Sequence, residues 1–165
     1  MPIQIYISRP YDSDWGAFPL TRCSLTGYLV TLGGSHVLRK TKKQTTVLGS
    51  LVETEYRSMA AAMSELVWSK ALLAPLGVFH TQAMHLFCGS QAAVHIAKNP
   101  VFRKCTKHIK MDCHFVRKRY HLGDLNLFHV SSKSQLADIF KKALRKPQFQ
   151  YVKSKLGMVN LHVPT

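Results

Sequence analysis

Carboxylates are scarce in this chain, and they sit at the ends of apolar segments. Only eight Asp and Glu stand against 23 Lys and Arg in 165 residues, a formal net charge of +15. Asp12 and Asp14 lie in YDSDW, Glu53 and Glu55 in VETEY, and Asp138 in QLADIF. Acids this rare have the makings of ligands for a hard divalent cation. Closely spaced carboxylates can hold two Mg²⁺ ions, which together activate a water and stabilise the leaving oxygen of a phosphodiester. The plainer alternative is a set of solvated acids, one of which caps a helix.

The basic balance points to an anionic partner. Self-repulsion on this scale is costly to a compact state unless a polyanion offsets it, and nucleic acid is the leading candidate. An acidic membrane surface fits less well, because the cations do not face one long apolar stripe and no run of about 18 apolar residues exists to span a bilayer. The N-terminal MPIQIYISRP lacks the apolar centre of a signal peptide, so the expectation is a soluble intracellular protein. With 46% hydrophobic residues and one character throughout, residues 1–165 are expected to form one domain that buries roughly two-thirds of its unfolded surface.

Cys23, Cys88, Cys105 and Cys113 form no CxxC pair, so reduced thiols are expected. Cys105, His108, Cys113 and His114 resemble a ligand set, but adjacent Cys113 and His114 must point to different sides of any helix or strand.

The elements that must position the acids follow from pattern. Ile3 to Trp15 reads as a first strand ending at the YDSDW acids, and Thr26 to Leu32 as a second. Gly33 and Gly34 then signal a turn, with Ser35 to Arg39 pairing back. Tyr56, Met59, Met63, Leu66 or Val67, and Leu73 recur at helical spacing from Glu53 to about Ala74, where Pro75 and Gly77 stop the helix. Ser50 and Glu53 have capping-box spacing, which leaves Glu55 just inside the first turn. Met84 to Cys88 reads as a buried strand and Gln91 to Lys98 as a helix ended by Asn99 and Pro100. A basic helix spans about Lys107 to Tyr120, a strand Leu125 to Val130, and helical stretches Gln135 to Leu144 and Phe149 to Leu156. A hairpin followed by strand-helix crossovers implies an α/β fold with a mixed sheet flanked by helices. In such a sheet Asp12, Glu55, the end of the Met84 to Cys88 strand and Asp138 can converge at one edge. Trp15, Trp68, Tyr28, Phe87 and Phe115 fall in apolar segments and are expected in the core, leaving no base-stacking platform.

The motifs TRCSLTGYLVTLGG, KTKKQTTV, ETEYRSMAAA, LVW, HIAKNPVF, TKHIKMDCHFVR and QLADIFKKAL occur in one order. Together they resemble the ribonuclease H domain of the Pol polyprotein of copia-type LTR retrotransposons, most closely those of plants, over about residues 11–156. The resemblance implies a ribonuclease H-like fold with a five-stranded mixed sheet. It also implies hydrolysis of the RNA strand of RNA/DNA hybrids with Mg²⁺ or Mn²⁺, and a parent polyprotein carrying reverse transcriptase and integrase. Cytoplasmic virus-like particles are the location it implies, with nuclear entry open to a small basic fragment.

Of the family's four catalytic carboxylates, the resemblance assigns three, Asp12, Glu55 and Asp138, as both catalytic residues and metal ligands. The remaining one belongs to a CDSQ or CDNQ motif that reads Cys88-Gly89-Ser90-Gln91 here. Gly89 has no side chain to bind a metal. Leu51 and Val52 replace small residues, and Lys141 replaces a Thr three positions after Asp138, within helical reach of that carboxylate. Weakened metal binding and lost or strongly reduced hydrolysis are therefore expected, with nucleic-acid affinity retained.

The cations fall in three patches. They are Arg39, Lys40, Lys42 and Lys43; then Arg103, Lys104, Lys107, Lys110, Arg117, Lys118 and Arg119; then Lys141, Lys142, Arg145 and Lys146. No base-reading motif accompanies them, so phosphate and sugar contacts with recognition of hybrid shape are expected. Besides the hydrolase, a non-catalytic nucleic-acid-binding module and a protein-interaction domain are the other function classes these features admit.

Overall fold

The computed structural model describes residues 3–7, 25–44, 51–99, 109–140 and 143–159. Five strands form one sheet: β1 Ile3–Ile7, β2 Leu25–Leu32, β3 Ser35–Lys43, β4 Met84–Cys88 and β5 Leu125–His129. The helices are α1 Leu51–Leu73, α2 Gln91–Lys98, α3 Lys110–His121 and α4 Lys146–Lys155. The strand order is β3-β2-β1-β4-β5. β1, β2 and β3 pair antiparallel, whereas β4 pairs parallel with both β1 and β5. The mixed sheet expected from a hairpin plus crossovers is therefore the sheet observed.

Local chemistry fixes the joints. Gly33 and Gly34 turn the β2–β3 hairpin with φ of 58° and 87°, a left-handed pair that glycine alone adopts without strain. Pro75 lies in a 3-10 turn, Ala74–Leu76, that follows α1, and Gly77 closes it at φ 77° with its N–H donating to the Ala74 carbonyl.

Alternation along the strands sorts side chains to two faces. Ile3, Ile5 and Ile7 join Tyr28, Val30, Met84, Leu86, Leu125 and Leu127 under Tyr56, Met59, Met63 and Leu66 of α1, with Ala93 and Ala97 of α2 and Val116 of α3 completing this core. On the opposite face Leu29 packs with Val152 and Leu156 of α4. Beside it Tyr6 stacks on Phe87 at 4.6 Å between ring centroids and Phe87 on Phe128 at 5.3 Å.

Several expectations change. Trp68 is 57% exposed rather than core. Leu66 points inward, and a residue two positions later is rotated about 200° around the helix, onto the half-exposed stripe of Arg57, Ala61, Ser64 and Glu65. Phe87 and Phe115 are only half-buried, whereas Tyr28 is buried. The hairpin strand runs on to Lys43, beyond the expected Arg39. Within the stretch expected to be helical from Gln135, Leu136–Phe140 forms a 3-10 helix. Gln135 favours that tighter turn, since its Oε1 accepts from the Ala137 N–H at 3.4 Å while its carbonyl accepts from the Asp138 N–H at 3.3 Å. Trp15, the YDSDW end of the expected first strand and Ser50 of the capping box lie outside the described residues.

Candidate nuclease site

Three of the four family positions lie on described elements. Glu55 sits in the first turns of α1 and is 2% exposed, and Asp138 sits in the 3-10 helix at 1%. Burial at this level is costly for carboxylates unless they are paired or hydrogen-bonded. Gly89 is also buried, in the turn between β4 and α2. Asp12 and Asp14 lie outside the described residues.

The topology explains how distant segments meet. β1 and β4 run parallel and in register to Ile7 opposite Cys88, so their C-terminal ends lie side by side. The Gln135 side-chain amide donates to the Ile7 carbonyl at 2.7 Å and thereby anchors the Asp138 helix to the end of β1. The Tyr56 hydroxyl donates to the Ala93 carbonyl at 3.3 Å, which ties the first turns of α1, and with them Glu55, to the start of α2. Crevices beyond the carboxyl ends of parallel strands are where α/β sheets bind ligands.

At the remaining corner the Ser90 Oγ accepts from the Ala93 N–H at 3.2 Å, capping α2, and the Ser90 N–H donates to the Cys88 Sγ at 3.4 Å. Ser90 is thus given to the backbone and supplies no replacement for a carboxylate at Gly89. The described glycines with positive φ are Gly33, Gly34, Gly77, Gly123 and Gly157, so Gly89 does not occupy its position for a left-handed backbone. Among the described residues no group of three or more His, Cys, Asp or Glu could hold a metal ion. Cys113 is buried while neighbouring His114 is exposed, on opposite sides of α3 as their adjacency requires; Cys105 and His108 lie outside the described residues.

The basic patches separate. Lys40, Lys42 and Lys43 are exposed along β3, an edge strand, as is Arg39. On α3, Lys110 and Lys118 are exposed, whereas Arg117 donates to the Ile96 carbonyl at 3.1 Å and Arg119 to Asp124 at 2.9 Å, so these two guanidiniums hold the fold together. Arg145 and Lys146 are exposed at the start of α4. Arg103, Lys104, Lys107, Lys141 and Lys142 lie outside the described residues. Sequence reasoning missed Arg57, whose Nε donates to Asp112 at 3.3 Å between α1 and α3, and Glu65, which bonds both Tyr28 and Lys40. The four-residue spacing of Arg57, Ala61 and Glu65 was the available signal for the face that they share.

No family model matches the chain. It is 38% identical over 150 residues to the retrovirus-related Pol polyprotein from transposon RE1 of Arabidopsis thaliana, covering 91% of this chain. Identity is 31% over 147 residues to the corresponding polyprotein from transposon TNT 1-94 of Nicotiana tabacum, covering 89%. The chain spans about a tenth of the length of these relatives, 10% and 11%. In three dimensions it is similar to RNase H1 from the archaeon Halobacterium salinarum, with a TM-score of 0.56, 14% identity, and 83% of this chain and 91% of that one covered. The N-terminal RNase H domain of a Mycobacterium tuberculosis protein gives a TM-score of 0.55 at 10% identity, covering 93% and 96%. No helix among the described residues is long and apolar enough to cross a membrane. Sequence and fold agree that this chain belongs to the ribonuclease H-like domains of copia-type retrotransposon Pol polyproteins.

Proposed function

We propose that this domain recognises RNA/DNA hybrids and that its hydrolysis of the RNA strand is lost or lowered by several orders of magnitude. The observation that carries the reading is Gly89, buried at the end of β4 where the family places a carboxylate, in a site that keeps buried Glu55 and Asp138.

The donors that remain are hard oxygens, suited to Mg²⁺ or Mn²⁺, and Asp12, Glu55 and Asp138 would hold such an ion. Bound there, a divalent cation would polarise the phosphodiester and acidify an attacking water. The glycine has no side chain to bring a charge or a donor atom, so the set fits one ion better than two. Loss of one of a mechanism's few electrostatic elements accounts for the expected fall in rate. The +15 charge supports a polyanionic partner, in keeping with phosphate-dominated binding. Reverse transcriptase and integrase segments of a parent polyprotein, and a cytoplasmic particle with nuclear entry open, complete the proposal.

The test is Mg²⁺- and Mn²⁺-dependent cleavage of a labelled RNA/DNA hybrid by the chain and its Gly89→Asp variant, with binding recorded alongside. Binding without cleavage, with activity gained in the variant, is the expected result. Turnover at an ordinary ribonuclease H rate by the unaltered chain would overturn the impairment. The same Gly89 observation also favours a second reading, a module retained for nucleic-acid binding alone, which predicts binding that Gly89→Asp leaves catalytically silent.

A further inference from the structure

The face of the sheet away from α1 is only partly roofed. Leu29 of β2 lies under Val152 and Leu156 of α4, whereas the outward side chains of β4 and β5 stay half-buried or exposed. Register sets those side chains in two rows across β1, β4 and β5, with Gln4, His85 and Asn126 in one and Tyr6, Phe87 and Phe128 in the other. The aromatic row is a continuous stack, its ring planes within 10° and 23° of parallel. His85 meets Phe128 edge-on at 5.2 Å, so the last ring is held from two sides. That ring belongs to an edge strand and is 40% exposed. Cross-strand pairing accounts for the inner rings, but the row ends on a ring that its neighbours have oriented and that solvent still reaches. Such preorganisation lowers the entropy cost of binding.

The charges around this face have one sign. β1, β4, β5 and α4 contain no Asp or Glu. Lys146 and Lys155 are exposed on α4, Lys153 is half-buried there, and Lys133 is exposed in the loop after β5. The Gln148 side-chain amide donates to the Ser132 carbonyl at 2.8 Å, which ties the start of α4 to that loop. Tyr151 of α4 stands beside the first ring of the row, since burial first and then the charge on Tyr151 push the Tyr6 hydroxyl up. Tyr151 is itself 43% exposed, with the Lys155 ammonium 5.9 Å from its ring centroid.

We propose that this aromatic face binds single-stranded nucleic acid, an unpaired base stacking on Phe128 to extend the row while the lysines of α4, Lys155 above all, meet its phosphates. Duplexes and hybrids keep their base faces inside the helix, so a stacking surface selects unpaired bases, and every base offers such a face. A second copy of this chain is the poorer occupant, because it would bring the same unopposed cations to the contact. The site uses neither Glu55 nor Asp138 and stands whether or not hybrids bind.

The experiment measures the affinity of the full chain for a labelled oligothymidylate of roughly ten nucleotides, and for a blunt RNA/DNA hybrid, across a salt series. Wild type is compared with Phe128→Leu, which keeps an apolar side chain without the flat ring, with Phe128→Tyr, which keeps the ring, and with Lys155→Gln. Phe128→Leu is expected to weaken oligothymidylate binding about tenfold or more, and Phe128→Tyr to retain most of the affinity. Lys155→Gln is expected to lower the slope of log affinity against log salt by about 0.7, the value for one phosphate of a single strand. Affinity for the blunt hybrid is expected to be the same in both Phe128 variants as in wild type. Equal losses in Phe128→Leu and Phe128→Tyr, no loss in Phe128→Leu, or equal weakening of hybrid and single strand would each overturn the stacking site. Failure of wild type to bind oligothymidylate at low salt would overturn it as well, while hybrid binding in the same series would leave the functional reading above in place. A wild-type dimer in sedimentation that Phe128→Leu dissociates would hand the face to a second copy and overturn the assignment to nucleic acid.

Discussion

The Gln135 side chain and the Ile7 carbonyl, 128 positions apart in sequence, meet in a buried 2.7 Å hydrogen bond. The bond joins the 3-10 helix that carries Asp138 to the first strand of the sheet. Without it, one of the two described carboxylates of the candidate site loses its mooring to the strand beside β4. Gln135→Ala is expected to cost about 1–3 kcal/mol, because a buried strand carbonyl is left without its donor. A fall in the urea midpoint at unchanged m-value would register it.

Gly89→Asp is expected to couple folding to metal. In the proposed site the new carboxylate would stand with Glu55 and Asp138, so in chelator the variant is expected to be less stable than wild type through like-charge crowding. Added Mg²⁺ reverses this, by about 2.7 kcal/mol when the free ion stands about 100-fold above its dissociation constant. Urea titrations with and without Mg²⁺ read the effect independently of any cleavage. Equal responses of wild type and variant would show that position 89 does not face the metal.

Ser90→Ala removes the cap of α2 and is expected to cost about 1 kcal/mol, as the Ala93 N–H loses its side-chain acceptor. Ser90→Asp restores an acceptor at the cap and is expected to recover most of that loss. Denaturation midpoints of the two variants decide it.

The Tyr28–Glu65 contact sets a pH dependence at both ends. The Lys40 ammonium, and then the Tyr28 hydroxyl, hold Glu65 below the usual carboxylate range against the opposing effect of burial. A depressed folded pKa contributes stability above the unfolded value and loses it as pH falls through the folded value. Tyr28 is shifted upward, first by burial and then by its bond to Glu65 and that group's charge. Its contribution is complete below the usual tyrosine value near 10 and is lost as pH rises above it. Glu65→Gln is thus expected to flatten the acid limb of a stability profile and Tyr28→Phe the alkaline limb, both read from denaturation midpoints across pH.

Much of this architecture was legible because hairpin glycines, Pro75 with Gly77, and the β4–α2 crossover are local signals that tertiary packing reinforces. Glu55 and Asp138 were singled out through motif resemblance, and both are deeply buried. Trp68 was misplaced because an apolar neighbourhood says nothing of helix phase, which sends Leu66 inward and Trp68 outward. Gln135 was invisible as an anchor, since its partner is a backbone carbonyl that no sequence pattern marks. The Tyr28–Glu65–Lys40 set was equally hidden: Lys40 stood out as charge, but Glu65 meets it only once α1 crosses the sheet.

The lysines of β3 have a second consequence. β3 is an edge strand with almost every side chain exposed, and such an edge offers unpaired backbone groups to any passing strand. Arg39, Lys40, Lys42 and Lys43 place like charges along it, so two copies approaching edge to edge repel before their backbones can pair. The residues proposed to meet a polyanion therefore also discourage self-assembly through the sheet, and a coating of nucleic acid would relax that protection at the same strand.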